Sequence, residues 1–194
     1  MSKSALTTSA LITAAVTLCA APALAQWGDE RTGIIAVGGG LATPNSDALD
    51  SVADNGFAIA GYVAQSIAGP FGWRAEGSFS RYGVDSFFES SCEVDDSCSN
   101  PQLSQFGGGL QMGGFGAGAT QPYLMFTAGV VNFDPGDGDS ETDFGIAFGS
   151  GVNWAVTETW GIGVEFKLNG FWPDAEGLDT QWFTTTNGML FFRF

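Results

Sequence analysis

There is no histidine in this chain of 194 residues. Basic residues are scarce too, 6 Lys and Arg against 21 Asp and Glu, for a formal net charge of −15. Charged residues of both signs make up 14%, well under the usual share of about a quarter. After Ala25 no apolar run approaches the roughly 20 residues that a membrane-spanning helix needs. Each shortage excludes something. Without histidine, a serine nucleophile lacks its usual base near neutral pH. The acidic balance argues against nucleic acid, and against attachment to anionic lipid by charge alone. Without a hydrophobic helix, a membrane crossing is left to β-strands.

The first 25 residues read as an export signal. Lys3 supplies the positive start, Ala5 to Ala21 is apolar but studded with Thr and Ser, and "PALA" places small residues at Ala23 and Ala25, the A-x-A cleavage pattern. A membrane-anchoring helix is the alternative, and the apolar stretch is short and interrupted for that. A lipid-modified Cys19 is rejected, because Leu18 stands where a small residue belongs. The expected division is therefore a signal peptide over residues 1–25 and one domain over residues 26–194. Export without a helical span leaves two classes, a soluble secreted domain or a transmembrane β-barrel.

The chain after Gln26 has the alternation of strands. In "WGIGVEFKLN", Ile162, Val164, Phe166 and Leu168 share one face, and Gly163, Glu165, Lys167 and Asn169 the other. "GWRAEGSFS", "QFGGGLQM" and "DFGIAFGSGVNW" alternate in the same way. Four less regular segments lie near Gly33–Leu41, Phe57–Ile67, Pro122–Phe133 and Trp182–Phe194. Both parities of Pro122–Phe133 are apolar, so its faces stay open. A soluble β-sandwich would alternate too. The connections separate the readings. Those near 68–72, 113–121 and 155–160 are short, and those near 42–56, 83–104, 134–142 and 170–181 are mostly longer. Short and long alternate, as in an up-and-down barrel with short turns at one end and long loops at the other. The long connections carry 15 of the 21 acids, and the short turns carry Glu158 alone. The expected fold is all-β, an eight-stranded antiparallel up-and-down transmembrane β-barrel.

In such a barrel Arg74, Glu76, Glu165 and Lys167 face the lumen, where opposite charges removed from water must pair. Arg193 faces the lumen as well, and the five form an expected charge network. Glu76 and Glu165 as paired acids for glycoside chemistry are the functional rival to simple ion partners. Arg81 shares the apolar parity and belongs near the headgroups, where its stem can snorkel. Trp73, Trp154 and Trp160 beside short turns, with Phe133, Trp172 and Trp182 beside long loops, suit aromatic girdles. At about eight strands the interior is just filled by side chains, so no wide channel is expected. A narrow passive pore for small solutes is the alternative.

"PYLMFTAGV", "WGIGVEFKL" and the closing "GMLFFRF" resemble the small outer-membrane β-barrel family of Gram-negative bacteria. That family includes the opacity-like proteins, outer-membrane protein X and the barrel domain of outer-membrane protein A. The resemblance implies a barrel spanning the outer membrane with both termini periplasmic, and with Phe194 ending the last strand no appended periplasmic domain is expected. It implies outer-membrane lipid and lipopolysaccharide as surroundings. It also implies a C-terminal strand, Leu190, Phe192 and Phe194, that the barrel-assembly machinery reads. Barrel enzymes of that membrane use a histidine, so no enzymatic activity is expected. The expected protein is a monomer without cofactor, serving envelope structure and surface contact through its acidic loops.

Two features of the long connections stand apart. Cys92 and Cys98 in "SCEVDDSCSN" are expected as a disulfide, because export takes them to an oxidising compartment. Closing so small a loop adds roughly 2 kcal/mol at most. A metal site is the rival, although two thiolates without histidine make a poor zinc set. "DPGDGDSETD" offers Asp137, Asp139, Glu141 and Asp143 at alternate positions. Oxygen ligands so spaced suit calcium, but the loop lacks the Gly and bidentate Glu of a full calcium loop, and a hydrated turn is the plainer account. If weak divalent-cation binding holds, calcium shifts the thermal or spectroscopic signal on the order of millimolar concentrations. No change over that range removes it.

Overall fold

Eight strands form in chain order: β1 Gly33–Pro44, β2 Ala53–Ala68, β3 Phe71–Val84, β4 Gln102–Gly113, β5 Thr120–Asp134, β6 Glu141–Ala155, β7 Trp160–Trp172 and β8 Gln181–Arg193. The computed structural model describes residues 33–46, 53–84, 100–116, 118–135, 140–173 and 180–194. The expected signal over 1–25, Cys92, Cys98, Asp137 and Asp139 lie outside them. Each strand pairs antiparallel with its chain neighbour, and β8 returns to β1 to close the barrel. A soluble sandwich is thereby excluded.

Closure fixes the geometry. The register runs from Ile34 through Ala64, Arg74, Gly109, Thr127, Ala147, Asn169 and Phe183 back to Pro44. One circuit thus climbs ten residues along β1 (44 − 34 = 10). With strands about 4.8 Å apart and a rise of about 3.3 Å per residue, that stagger tilts them by roughly 40°. The strands run to 12–16 residues, longer than the roughly 9–11 a tilted span needs. The strands extend past their expected bounds chiefly at the long-connection end, β1 to Pro44 and β2 from Ala53. Ladders therefore absorb residues expected in loops, and the connection 135–140 is no longer than 114–119. The strict alternation of lengths fails at that point.

Local chemistry makes the turns. Gly69–Pro70 joins β2 to β3. In the β6–β7 turn, Thr157 Oγ1 accepts from the backbone N–H groups of Thr159 and Trp160 at 3.2 and 3.1 Å. Between β4 and β5, Gly113 and Gly114 sit at φ +91° and +85°, a region that other residues enter at a cost. They reverse the chain so that Phe115 packs into the bore.

The exterior is apolar around the circumference. One register row joins Trp73, Leu110, Phe126, Phe148 and Leu168, and another joins Phe106, Val130, Phe144 and Trp172. Leu41 and Phe106 are 66% and 64% exposed. So large an apolar surface would drive a soluble protein to aggregate, whereas lipid tails accept it. The structure also settles β5. Phe126 and Val130 face out, while Tyr123, Met125 and Val131 are buried inside. Phe133 has the inward parity, so it does not join the expected girdle. It packs on the interior with its ring tilted against Phe171, centroids 5.8 Å apart. Trp73, Trp154, Trp160 and Trp172 are exposed as girdle residues would be.

Inward glycines let the strands coil tightly. A Cβ on Gly129 would lie 2.0 Å from the Phe106 carbonyl oxygen on β4. Gly129→Ala must therefore spread the β4–β5 ladder, lowering stability by about 1–3 kcal/mol. Urea unfolding in detergent or vesicles measures this, and an unchanged midpoint would refute the close approach.

Candidate functional site

The bore is the only part of the described molecule that gathers chemistry-bearing side chains in one place. Period-2 geometry puts Arg74 and Glu76 of β3 and Glu165 and Lys167 of β7 inside. The register then sets the two pairs facing each other across the lumen. Arg74 Nη2 lies 2.7 Å from Glu76 Oε2 and 2.7 Å from Glu165 Oε2. Its Nε donates to Glu76 Oε2 at 2.8 Å, and its Nη1 to Gln111 Oε1 at 3.3 Å. Lys167 Nζ reaches Glu76 Oε1 at 3.4 Å. Thr127 Oγ1 donates to the same oxygen at 2.8 Å, and the Tyr123 hydroxyl donates to Glu165 Oε2 at 2.8 Å. The Arg74 guanidinium lies over the Tyr62 ring, 3.7 Å from its centroid, a cation–π contact in a desolvated place.

Two cations meet two anions, so the cluster carries no net formal charge. That neutrality matters, because an uncompensated buried charge is costly whereas a paired one approaches balance. Arg74 and Glu165 are 2% and 0% exposed. Apolar layers bound the cluster on both sides. Toward the short turns lie Ile34, Ala36, Ala64, Phe115, Met189 and Phe191. Toward the long connections lie Tyr82, Leu103, Val131, Phe171 and Phe183, with Tyr82 and Phe183 edge to face at 6.5 Å. Inward side chains are buried on both sides of the cluster, apolar ones together with polar ones such as Asn153 and Asn169.

Four of the five expected network residues come together, while Arg193 sits at the turn-side end of β8, 5.4 Å from the Phe191 ring. Phe192 and Leu190 face outward, and Phe194 is bound to Gly33 by backbone hydrogen bonds of 3.0 Å in both directions. Of the described pair in the acidic run, Glu141 is exposed at the start of β6 and Asp143 is buried. Among the described residues no group of three or more potential metal ligands gathers. The reading of residues alone missed Tyr62, Tyr123, Thr127 and Gln111. Tyr123 and Thr127 lie on β5, whose two apolar parities hid which side faces in. A register for β4–β5 would have exposed them.

A closed eight-stranded antiparallel barrel with an apolar outside and ion pairs inside defines a class, the bacterial outer-membrane barrels. The chain belongs to the family described as outer membrane protein beta-barrel domain, which matches residues 11–191. This places it in the outer membrane of a Gram-negative envelope. Solved structures of the same fold include Neisserial surface protein A, with a TM-score of 0.61 at 15% identity over 84% of this chain and 97% of that one. The attachment invasion locus protein Ail of Yersinia pestis aligns with a TM-score of 0.51 at 15% identity over 86% and 100%. OprG of Pseudomonas aeruginosa aligns with 0.50 at 16% identity over 84% and 97%. No curated protein matches this sequence.

The cluster predicts a coupled energetic response. Arg74→Met leaves Glu165 and Glu76 short of a cation and destabilises the barrel by about 3–5 kcal/mol. Adding Glu165→Gln removes the orphaned charge and restores part of that loss. Urea midpoints for the single and double variants measure the coupling, and additive losses would contradict it.

Proposed function

We propose that this protein is a non-enzymatic outer-membrane barrel that serves envelope structure and surface contact through its acidic connections. The observation that carries the reading is the filled bore. Apolar clusters on both sides of a neutral ion cluster, with buried polar side chains such as Asn153 and Asn169 among them, occupy the described lumen. Such an interior supports a rigid plugged scaffold over a narrow passive pore, because a solute would have to displace buried ion pairs. The absence of histidine from the sequence supports a role without acid–base catalysis.

In this reading residues 1–25 direct export, and both termini face the periplasm. The connections around 45–52, 85–101, 135–140 and 173–180 face outward, carrying most of the acids. Cys92 and Cys98 close a disulfide in the longest of them. Asp137, Asp139, Glu141 and Asp143 contribute to weak divalent-cation binding, which would also bridge the acidic rim to lipopolysaccharide phosphates. Ail has been solved in complex with the heparin analogue sucrose octasulfate. The strong negative charge of this chain suits cationic contacts instead. Leu190, Phe192 and Phe194 present an outward apolar row at the closing strand, which suits recognition by the assembly machinery. The folded product acts as a monomer.

Two measurements test the reading. An epitope inserted after Asp95 is reached by antibody on intact cells, and one inserted after Thr157 only after permeabilisation. The reverse pattern would overturn the orientation. The purified barrel leaves planar bilayers electrically silent, and reproducible conductance steps would replace the scaffold with the pore.

A further inference from the structure

The three short turns are built differently. Gly69–Pro70 is two residues long. The β6–β7 turn is laced by the Thr157 hydroxyl, and by the Val156 and Thr157 N–H groups on the Trp160 carbonyl at 3.0 Å each. The β4–β5 turn instead carries a phenylalanine among glycines: Gly113, Gly114, Phe115, Gly116. The β4–β5 ladder stops at Gly113 and Tyr123, and Thr120 to Pro122 pair with β6 alone. Among the described residues, Gly114, Phe115 and Gly116 make no hydrogen bond. What holds this segment is its ring. Phe115 is 6% exposed and packs with Ile34, Tyr62, Ala64, Met189 and Phe191. A Cβ on Gly72 would lie 2.4 Å from that ring, so the bare wall at Gly72 is the slot that admits it.

The segment leaves the sheet through a hinge. Gly113 and Gly114 sit at φ +91° and +85°, where a side chain is strained and glycine is not. Gly113 is tied on both sides. Its N–H donates to the Pro70 carbonyl at 2.8 Å, and its carbonyl accepts from Gln111 Nε2 at 3.1 Å. Gln111 Oε1 in turn accepts from Arg74 Nη1 at 3.3 Å. One buried amide therefore joins the ion cluster to the hinge. A Cβ on Gly114 would come within 2.8 Å of the same Gln111 Nε2. Swinging the ring out from Gly114 gives up apolar burial but breaks no ladder pair. Local opening of this kind needs no unfolding of the barrel.

We infer that Phe115 is a hinged stopper of the turn-side mouth, seated against Gly72, pivoting at Gly113–Gly114 and latched through Gln111 to Arg74. When open, it uncovers Ala64 and Met189 from the short-turn end. Tyr82, Leu103, Phe171 and Phe183 remain packed at the other end, so opening gives access from one side and makes no passage through. The latch makes the stopper responsive to the ion cluster, since a change that draws Arg74 off Gln111 loosens the hinge. The stopper is independent of what the acidic connections contact.

The test is thiol accessibility in the refolded full-length chain in nanodiscs, with Cys19→Ser, Cys92→Ser and Cys98→Ser as background. A single thiol is placed by Ala64→Cys beneath the ring, or by Ala58→Cys as an inward control beyond the ion cluster. The two alanines are 0% and 2% exposed. Labelling by a negatively charged methanethiosulfonate is followed by mass, and heat-modifiable gel mobility checks folding. Ala64→Cys should label faster than Ala58→Cys. Gly114→Ala strains the closed hinge, and should speed labelling of Ala64→Cys about tenfold while leaving Ala58→Cys unchanged. Gln111→Met cuts the latch and should speed Ala64→Cys as well. Phe115→Ala should give the fastest rate, to which Gly114→Ala adds nothing. Equal acceleration at both thiols means a loosened barrel and overturns the stopper. An Ala64→Cys rate that Phe115→Ala leaves unchanged overturns it too. Phe115→Leu, which keeps an apolar side chain in the slot, should give an intermediate rate and decides the matter if Phe115→Ala does not fold.

Discussion

A β-sheet placed in hydrocarbon has nowhere to put an unpaired edge. Each backbone N–H or C=O left bare there costs several kcal/mol, and lipid offers no partner. The pairing of Ile34–Pro44 with Phe183–Arg193 removes the edges, and the rest of the architecture depends on it. Closing eight strands with a stagger of ten residues sets the tilt and radius. That radius leaves an interior filled by side chains. A filled interior in turn forces any inward charge against another inward side chain. Closure reaches the chain's last residue too, since Phe194 and Gly33 exchange backbone hydrogen bonds.

The molecule inverts the usual arrangement of a soluble domain. Its apolar surface is outside, where lipid supports it, and its ion pairs are inside. The interior is not uniformly polar. Placing the Arg74–Glu165 contact between two apolar layers keeps bulk water and screening ions away from it. That strengthens the attraction and also raises the cost of taking the charges out of water. Four charges that cancel, with Thr127, Tyr123 and Gln111 adding hydrogen bonds to them, reconcile the two effects. By sequence and strand order, most of the acids fall in the connections at one end of the barrel.

Much of this was legible in order of locality. The period-2 pattern of Trp160–Asn169 and Gly72–Ser80 places Glu165, Lys167, Arg74 and Glu76 inside, because strand parity depends only on immediate neighbours. Strand number followed from turns and apolar runs for the same reason. Reading failed where local pattern was degenerate. Pro122–Phe133 is apolar on both parities, so Phe133 was set among the lipid-facing rings although it packs on Phe171 inside. The connection at 135–140 is shorter than the expected 134–142, because β5 and β6 stay paired out to Phe133 and Glu141.

The sequence by itself determined that this is a strand-built membrane protein with buried charges of both signs and acids segregated to one end. Parity, composition and charge placement are properties of short stretches, and short stretches can be read singly. Only the tertiary structure decided which charges meet, that Lys167 reaches Glu76 from 91 residues away, and that Phe115 closes the turn-side bore. Those contacts depend on the stagger accumulated over all eight pairings. A shift of register in one ladder would change the level at which every later side chain enters the lumen.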